Sequence, residues 1–337
     1  MVLKKLGPDT EAAFTDVVSY LAGEEGLLVL VEPHELGGLH ARRPDLVAGV
    51  DTYTADEAVS LADSVDFVVC LGGDGLVLHA SSLFQRAIPP VISFNLGSLG
   101  FLTNHVITDF RADLADVIAG REPLGACAPV PPPEASPGSP PASLATASAD
   151  GGPGRAGVHI TLRMRLECRV VRGGVPEPDA YEVLNEVVLD RGSSPYLTKL
   201  ECWERGRLVT KVQADGVMLA TTTGSTAYSV AAGGSMVHPN VPAILFTPIC
   251  PHSLSFRPVV LPDYAELELR VAGDMRSTAF VCFDGKGRQE LARGDAVRVR
   301  MSTHPVPTIS KADSTNDWFD TLNRCFGWNE RLEQKSR

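Results

Sequence analysis

The stretch that decides the fold is Phe67-Val68-Val69-Cys70-Leu71-Gly72-Gly73-Asp74-Gly75, followed by a helix-like segment at 76–86. An apolar run of strand length that ends in glycines and continues into an amphipathic segment predicts a β-strand, a tight loop and an α-helix. In a parallel sheet such a loop lies at the carboxyl end of its strand, where glycines let backbone N–H groups approach a phosphate. Two interpretations fit Asp74: a proton acceptor or magnesium ligand in a phosphate site, or a cap of the helix in a tight turn.

The first 120 residues repeat this alternation. Strand-like runs at 26–32, 67–71 and 90–95 alternate with helix-like segments at 54–63, 76–86 and 109–119. Such an alternation predicts a parallel sheet with helices on its faces. We therefore expect residues 1–120 to form an α/β N-terminal Rossmann-like domain.

The rest of the chain differs in composition. Residues 121–157 hold nine of the 25 prolines and almost no large apolar side chain, which predicts a disordered insertion. Residues 158–308 predict a β-rich domain, and 309–337 a helical tail that packs back on the first domain. The expected strands of the β-rich domain lie at 159–171, 181–190, 197–203, 208–213, 216–221, 243–248, 265–271, 279–283 and 296–301, and one helix is expected from about residue 225.

Charge and composition exclude some classes of protein. A net charge of -11 has the wrong sign for a general nucleic-acid binder. Seven cysteines without a CxxC pair favour reduced thiols in an intracellular compartment. No apolar run reaches the ~18 residues that span a bilayer, so we expect no membrane partner. The strand-like start at Met1 and the lack of a signal peptide suggest a fragment whose targeting region is missing.

Two further segments place polar groups where a ligand could bind. The loop Asn95-Leu96-Gly97-Ser98-Leu99-Gly100-Phe101-Leu102 follows a strand-like run, and Phe101 offers an apolar wall for an adenine ring. Asn185 and Glu186 interrupt the apolar run 183–189 and could meet ribose hydroxyls. Taken alone, the first segment is better explained by a plain turn between strand and helix, and the second by a solvated sheet face.

The segment from Asp215 to Ser229 is the richest in polar groups. A strand runs into Thr221-Thr222-Thr223-Gly224-Ser225-Thr226 and then into an Ala-rich helix, so hydroxyls and free N–H groups converge at a helix N-terminus. We favour a phosphate or nucleotide site over a simple helix cap here. By contrast, Asp284-Gly285 between strand-like runs is by itself the usual signal for a hairpin turn.

In this order, the segments at 72–75, 95–102, 185–186, 215–216, 223–228 and 283–285 closely resemble the ATP-dependent NAD kinase family, and the pattern of 234–258 and 327–332 is most similar to its plant and algal chloroplast branch. The resemblance implies an N-terminal domain like those of phosphofructokinase and diacylglycerol kinase and a C-terminal β-sandwich. It implies transfer of the γ-phosphate of ATP to the 2′-hydroxyl of the adenosine ribose of NAD, with Mg²⁺. It also implies a homo-oligomer, a dimer or tetramer, in the chloroplast stroma, and regulation through the missing N-terminal region.

The resemblance also implies residue roles. Asp74 would be the catalytic base, and no metal ligand is identified. The NAD site would comprise Asp74, Gly75, His79, Phe101, Asn185, Glu186, Asp215, Thr223, Thr226, Ala227, Tyr228 and Ser229, and the ATP phosphates would meet Gly72, Gly73, Gly97, Asp284 and Gly285.

Three positions depart from the family pattern. Thr222 stands where many relatives have Pro, Leu76 replaces a common Thr, and Lys286 replaces a frequent Gln. Loss of the fixed φ of Pro predicts a looser hydroxyl loop at Thr222. A lipid kinase with the same glycine loop and a catalytically silent NAD(P)-binding regulator remain as alternatives, as do NAD or NADH as acceptor and ATP or polyphosphate as donor.

Overall fold

The structure, a computed structural model of the 337-residue chain, describes residues 1–7, 10–54, 60–97, 100–119 and 158–329. The insertion predicted at 121–157 therefore lies outside the described residues, as do 55–59 of the predicted helix at 54–63. The chain divides into two compact units, Met1–Phe110 with His159–Arg337, and Arg111–Val158. The candidate site residues all belong to the first unit.

Seven α-helices and twenty β-strands make up the described part of the chain. The helices are α1 Glu11–Val18, α2 Pro33–Arg42, α3 Leu61–Ser64, α4 Asp74–Leu83, α5 Phe110–Ile118, α6 Tyr228–Ala231 and α7 Ser314–Phe326. The strands are β1 Val2–Lys4, β2 Val29–Val31, β3 Val50–Thr52, β4 Val68–Leu71, β5 Val91–Asn95, β6 His105–Val106, β7 Ile160–Arg163, β8 Leu166–Arg172, β9 Val175–Pro176, β10 Tyr181–Val183, β11 Glu186–Asp190, β12 Thr198–Glu204, β13 Arg207–Thr221, β14 Ala243–Pro251, β15 Val259–Pro262, β16 Leu267–Val271, β17 Ala279–Phe283, β18 Lys286–Leu291, β19 Ala296–Met301 and β20 Val306–Ile309.

The first sheet has eight strands in the order β3-β2-β1-β4-β5-β20-β7, with β6 beside β5. Its strands β1 to β6 and β20 pair in parallel, and only β7 is antiparallel. The order β3-β2-β1-β4-β5 is that of a Rossmann-like sheet, in which ligands bind beyond the carboxyl ends of the strands. The loop at Gly72–Gly75 follows β4 at that edge, as the sequence predicts.

The second sheet is antiparallel and has twelve strands, β8 to β19. Burial alternates along several of them, so that in β16 Leu267, Leu269 and Val271 are buried while the residues between them are partly exposed. The buried faces of these strands share one large apolar core. The predicted fold class, an α/β domain followed by a β-rich domain, is confirmed.

Residues 159–171, predicted as a single strand, instead form β7 in the first sheet and β8 in the second. Two arginines with different surroundings account for the break. Arg163 ends β7 and reaches the loop after β5, whereas Arg165 is fully buried and donates to carbonyl groups of Ser81 and Phe84 at the end of α4. Both β7 and β20 thus extend the first sheet, although they lie within the predicted β-rich segment 158–308.

Other local predictions were also wrong in detail. The two strands expected at 208–213 and 216–221 are the single strand β13, because Gly216 lies within the sheet, where a Cβ would come within 2.6 Å of the Leu189 carbonyl oxygen. The strand expected at 181–190 is interrupted at Leu184-Asn185 between β10 and β11. The helix expected from 225 is a short 3-10 turn, Thr223–Thr226, followed by one turn of α6.

The tail forms α7, and both ends of this helix have residues that cap it. The Asp313 side chain accepts from the N–H groups of Thr315 and Asn316 at the N-terminus, and Gly327 takes a left-handed conformation at the C-terminus. The ring of Phe326 in α7 lies 5.5 Å from the ring of Phe101. The tail therefore contacts the loop after β5. Among the described helices, none is long and apolar enough to cross a membrane.

Candidate active site

Asp74 is held by the loop that follows the neighbouring strand. Its carboxylate accepts from the backbone N–H groups of Phe101 at 2.8 Å and Leu102 at 2.9 Å, and from the Thr103 hydroxyl at 3.4 Å. Although Asp74 is the first residue of α4, its side chain bonds to this second loop rather than to its own helix, and the N-cap of α4, Gly73, makes no side-chain cap bond. The helix-cap interpretation of Asp74 is therefore wrong.

Gly100 is a glycine because Asp74 occupies the space of its side chain. A Cβ at Gly100 would lie 2.0 Å from Asp74 Oδ1. We expect Gly100→Ala to lower the free energy of unfolding by about 1–3 kcal/mol, because the loop must move away from the carboxylate. Chemical denaturation measures this loss. Gly75→Ala is the matched control, since a Cβ there meets nothing within 4 Å; equal losses in both variants would contradict the packing argument.

A cavity of about 500 Å³ lies beside the glycine loop at the carboxyl ends of β1 and β2. Gly73, Gly75 and His79 line it from α4. His79 Nε2 lies 2.9 Å from Glu32 Oε1, and this hydrogen bond lowers the pKa of the Glu32 carboxyl, against the opposing effect of its burial. Lys4 and Lys5 also line this cavity, and no motif in the sequence marks them.

The loop at Leu184-Asn185-Glu186 is held by Asp284 from the hairpin between β17 and β18. The Asp284 carboxylate accepts from the backbone N–H groups of Leu184, Asn185 and Glu186 at 2.7, 2.8 and 3.1 Å. Asp284 and Gly285 both have positive φ, 47° and 72°, as a two-residue hairpin turn requires. The hairpin signal in the sequence is thus confirmed, and the carboxylate in it fixes the position of Asn185 and Glu186. A phosphate contact of Asp284 and Gly285 stays a prediction.

Glu186 is buried and carries an unpaired oxygen. Its Oε2 has no hydrogen-bond partner within the described part of the chain. Burial, and then the charge of Asp284, raise the pKa of Glu186 to about 7, although the Tyr228 backbone N–H opposes this. Burial likewise raises the pKa of Asp284, against its three backbone hydrogen bonds. The unpaired oxygen of Glu186 is a free acceptor, or a donor when protonated, for a bound hydroxyl.

The raised pKa of Glu186 predicts a pH-dependent stability. Between its ordinary value of 4.5 and about 7 the folded protein retains a proton that the unfolded chain has lost, so stability falls as pH rises through this window. We expect the free energy of unfolding of Glu186→Gln, which stays neutral, to rise relative to that of the parent chain between pH 5 and 8, by an amount on the order of 2 kcal/mol. Calorimetry at several pH values measures the difference. Exposed Glu290→Gln is the control, and a flat difference for Glu186→Gln would contradict the prediction.

In the hydroxyl loop, residues 221–226, several hydroxyl groups donate hydrogen bonds to backbone carbonyl oxygens of the protein. Thr221 donates to the Leu184 carbonyl oxygen at 2.6 Å, Thr222 to that of Pro239 at 3.1 Å, and Ser225 to that of Val237 at 3.1 Å. Thr222 has a φ of -64°, the value that Pro would impose. The loosening expected from Thr in place of Pro is therefore offset by a hydrogen bond.

The other hydroxyl groups between Thr223 and Ser229 differ in whether they have a hydrogen-bond partner. The Thr223 hydroxyl is buried without a partner in the described residues, while Thr226 donates to the Thr223 carbonyl oxygen at 3.3 Å. The buried Ser229 hydroxyl pairs with that of Thr247 at 2.9 Å. Tyr228, which follows Ala227, is exposed. Of the hydroxyl groups from Thr223 to Ser229, Thr223 and Tyr228 are thus the ones best placed to meet a ligand.

Tyr228 lies near several carboxylates. Partial shielding of its ring from water raises the pKa of Tyr228, and the charges of Asp190, Cys250, Glu186 and Asp215 add to the rise. Asp215 itself pairs with Arg191 Nε at 2.8 Å. Glu186, Asp215 and Tyr228, which the sequence singled out in separate segments, therefore occupy one neighbourhood.

Close backbone contacts and a shared core join the parts of the site. A Cβ at Gly224 would lie 2.3 Å from the Asn185 carbonyl oxygen, so the hydroxyl loop and the Asn185 loop touch through the glycine. Leu184 is buried in the same apolar cluster as Val77 of α4 and Leu102 beside Asp74. The elements that carry Asn185 and Asp74 thus pack against one another.

Two of the glycines predicted to bind phosphate have structural roles in the backbone. Gly72 is buried, and a Cβ there would lie 3.0 Å from Lys5 Cβ, so it permits the close approach of β1. Gly97 has a φ of 151°, and its N–H donates to Asn95 Oδ1 at 2.6 Å. Within the part of the chain that the structure describes, this is the hydrogen bond that Gly97 makes to a side chain, and its partner Asn95 is not a predicted site residue. Thr103 belongs to residues 100–103, the loop that binds the Asp74 carboxylate and is called the Asp74 loop below, and Arg163 contacts this loop. They were not singled out from the sequence, because their partners are distant along the chain.

Two protein-family models match the chain. The ATP-NAD kinase N-terminal domain matches residues 16–122, and the ATP-NAD kinase C-terminal domain matches residues 184–311. The two matches contain the Asp74 loop and the Asn185 to Asp284 half of the site, respectively.

Known proteins resemble the whole chain. NAD kinase 2, chloroplastic, of Arabidopsis thaliana is 54% identical over 337 residues, which are all of this chain and 31% of that protein. The crystal structure of yeast NADH kinase complexed with NADH is 30% identical with a TM-score of 0.79, and the match covers 99% of this chain and 89% of that chain. An NAD kinase from Archaeoglobus fulgidus in complex with ATP shares the fold, with a TM-score of 0.60 at 19% identity over 88% of this chain and 97% of that chain.

Proposed function

The chain belongs to the NAD kinase family, and from this premise we propose that it transfers the γ-phosphate of ATP to the 2′-hydroxyl of the adenosine ribose of NAD, producing NADP. The observation that carries the proposal is the carboxylate of Asp74, held at the N-terminus of α4 by two backbone N–H groups and a hydroxyl. The chain spans 31% of the length of its Arabidopsis relative.

In the proposed reaction Asp74 accepts the proton of the ribose hydroxyl. A carboxylate has about four acceptor positions, and the Asp74 loop occupies three of them, which leaves one for the hydroxyl. Phosphoryl transfer depends mainly on positioning and charge stabilisation, so a weak base held in a fixed orientation suffices.

NAD is proposed to bind between the Asp74 loop and the second sheet. The unpaired Glu186 Oε2 and the unpaired Thr223 hydroxyl supply polar groups that a dinucleotide can satisfy. Asn185, Asp215, Thr226, Ala227, Tyr228 and Ser229 would complete this pocket, with Gly75, His79 and Phe101 on the side of the first sheet. The yeast relative complexed with NADH supports a dinucleotide as the ligand.

ATP is proposed to place its phosphates at the cavity beside Gly73. The N-terminus of α4 and the lysines Lys4 and Lys5 favour anions there. Lys4 is neutralised by pairs with Glu11 and Glu35 at 2.7 and 2.8 Å, which leaves the exposed Lys5 as the stronger attraction. The Archaeoglobus relative, whose structure contains ATP, shares the fold that forms this cavity.

Magnesium is proposed to arrive with the ATP phosphates. Within the described residues no three His, Cys, Asp or Glu side chains are grouped as a metal site. Mg²⁺ commonly keeps its waters and binds substrate phosphates with one or two carboxylates. We assign the ion no protein ligand and no step of the mechanism.

Location and assembly are proposed from the relatives. The similar Arabidopsis and rice proteins are named chloroplastic, which supports a chloroplast location. A homo-oligomer is proposed from the family resemblance alone.

The proposal is tested by incubating the purified chain with NAD, ATP and magnesium and measuring NADP by enzymatic cycling. We expect NADP to form, and parallel reactions with NADH and with polyphosphate rank acceptor and donor. Absence of NADP despite NAD binding by calorimetry would favour the silent regulator. Phosphorylation of diacylglycerol or sphingosine in place of NAD would favour the lipid kinase.

A further inference from the structure

Arg163 is a buried cation at the end of β7, and it contacts the Asp74 loop. It is only 6% exposed, and its Nε donates to the Thr308 hydroxyl at 3.1 Å. Thr308 in turn donates to the Thr161 carbonyl oxygen at 3.1 Å, so the antiparallel pair β7 and β20 fixes the guanidinium. Its Nη2 reaches the Phe101 carbonyl oxygen at 3.4 Å.

One peptide group connects Arg163 to Asp74. The carbonyl of Phe101 and the N–H of Leu102 belong to the same peptide bond; Arg163 donates to the carbonyl oxygen, and the N–H donates to Asp74 Oδ1 at 2.9 Å. A charged donor at the carbonyl polarises the peptide and strengthens the hydrogen bond at its other end. Arg163 therefore acts on Asp74 without touching it.

Two carboxylates retain the charge of Arg163 in its buried position. Burial lowers the pKa of Arg163 to about 10, and the charges of Asp74 and Asp317 oppose this fall, so the side chain is a cation at neutral pH. Asp317 is already held by the N–H groups of Lys311 and Ala312. Asp74, the other carboxylate of this pair, is the proposed base and accepts from the Phe101 and Leu102 N–H groups.

Two other titratable groups lie close to this pair. Burial lowers the pKa of His238, and the charge of Arg163 lowers it further. Burial raises the pKa of the Cys325 thiol, and the charge of Asp74 raises it further. Any pH dependence of the Asp74 site includes these groups.

We propose that Arg163 is a positioning residue for the phosphoryl transfer, which holds the Phe101–Leu102 peptide against Asp74 and fixes the orientation of that carboxylate. The proposal rests on the proposed function. Because Arg163 acts through Asp74 and not through NAD, its loss lowers kcat and alters the pH profile while NAD binding is retained.

The test compares Arg163→Met and Arg163→Lys with the parent chain. We expect Arg163→Met to lower kcat about 10²-fold and to move the acidic limb of the kcat profile toward higher pH, because a cation whose charge interacts with Asp74 is lost. The KM for NAD should change less than about threefold, because uniform binding is retained. Arg163→Lys, which keeps the charge but not the planar fork, should recover part of the rate. In an Asp74→Asn background, Arg163→Met should have little further effect.

Thr161→Val is the matched structural control. Its hydroxyl pairs with that of Ser310 at 2.8 Å across the same two strands, away from Phe101. Equal rate losses in both variants, in proportion to lost melting temperature and with unchanged pH profiles, would overturn the proposal. Should Arg163→Met not fold, Arg163→Lys carries the same comparison.

A second readout separates this inference from the proposed function. If the parent chain forms no NADP, the proposed function fails, and a ¹³C NMR titration of the Asp74 carboxyl in the parent and in Arg163→Met, which removes the charge, decides the inference without turnover. A displaced titration midpoint supports the coupling, and an unchanged midpoint overturns it.

Discussion

Replacing Asp74 with Asn is expected to lower kcat for NADP formation by about 10²–10⁴-fold, the range for loss of a general base. The amide has almost the shape of the carboxylate but is not a base. Its NH₂ group would also face one of the N–H donors of Phe101 and Leu102, so one hydrogen bond at 2.8 or 2.9 Å is lost. Initial rates at saturating NAD and ATP measure the effect.

NAD affinity distinguishes a chemical role of Asp74 from a general loss of the site. We expect the Kd for NAD, measured by calorimetry, to stay within about fivefold of the parent value, because most of the proposed NAD contacts come from the second sheet. Asp63→Asn, an exposed site on α3, is the control for the change in charge. An Asp74→Asn chain that retains more than a tenth of the parent rate would exclude Asp74 as the base.

Replacing Arg165 with Met is expected to lower the free energy of unfolding by about 3–5 kcal/mol, the cost of breaking a buried ion pair from one side. Arg165 has no exposed surface and donates to the carbonyl groups of Ser81, Phe84 and Arg86 at the end of α4, at 3.1, 2.7 and 2.5 Å. Its Nε also lies 3.5 Å from Oε2 of Glu182, which belongs to β10 at one end of the strand order of the second sheet. Without the guanidinium, these acceptors remain buried and lose their donor.

Thermal unfolding should show this loss as a fall in melting temperature of about 10 °C, since 1 kcal/mol corresponds to roughly 2–4 °C in a protein of this size. Arg300→Met is the matched control: Arg300 pairs with Glu167 at 2.8 Å, but its side chain is 60% exposed. A surface pair of this kind contributes less than about 1 kcal/mol. Similar losses in the two variants would show that Arg165 does not join α4 to the second sheet.

The sequence predicts best where a signal is local. The strand–glycine–helix pattern around Asp74 is found at β4 and α4, because apolar periodicity and glycine spacing act within a few residues. The hairpin at Asp284-Gly285 is found for the same reason. Elements such as β3, β20 and α2 were not predicted, because short strands of three or four residues and a polar helix carry little periodicity.

The sequence predicts least where one side chain must be assigned a partner. Arg163 and Arg165 are two residues apart and look alike in the sequence, yet one serves the Asp74 loop and the other the end of α4. Asp284 was predicted as a hairpin-turn residue, but nothing in the sequence indicated that its oxygens bind N–H groups about 100 positions earlier in the chain. Such pairings follow from which elements pack together, and no spacing in the sequence encodes them.

By itself, the sequence determined the order of the elements, the two classes of domain and the residues around which the chemistry is organised. Periodicity, glycine placement and the ordered set of motifs are properties of the chain that exist before it folds. Only the tertiary structure decided what holds those residues. Asp74 binds a loop 27 residues away, and Arg163 supports that loop from 62 residues further along the chain, because buried charges and N–H groups must find partners and those partners are set by packing.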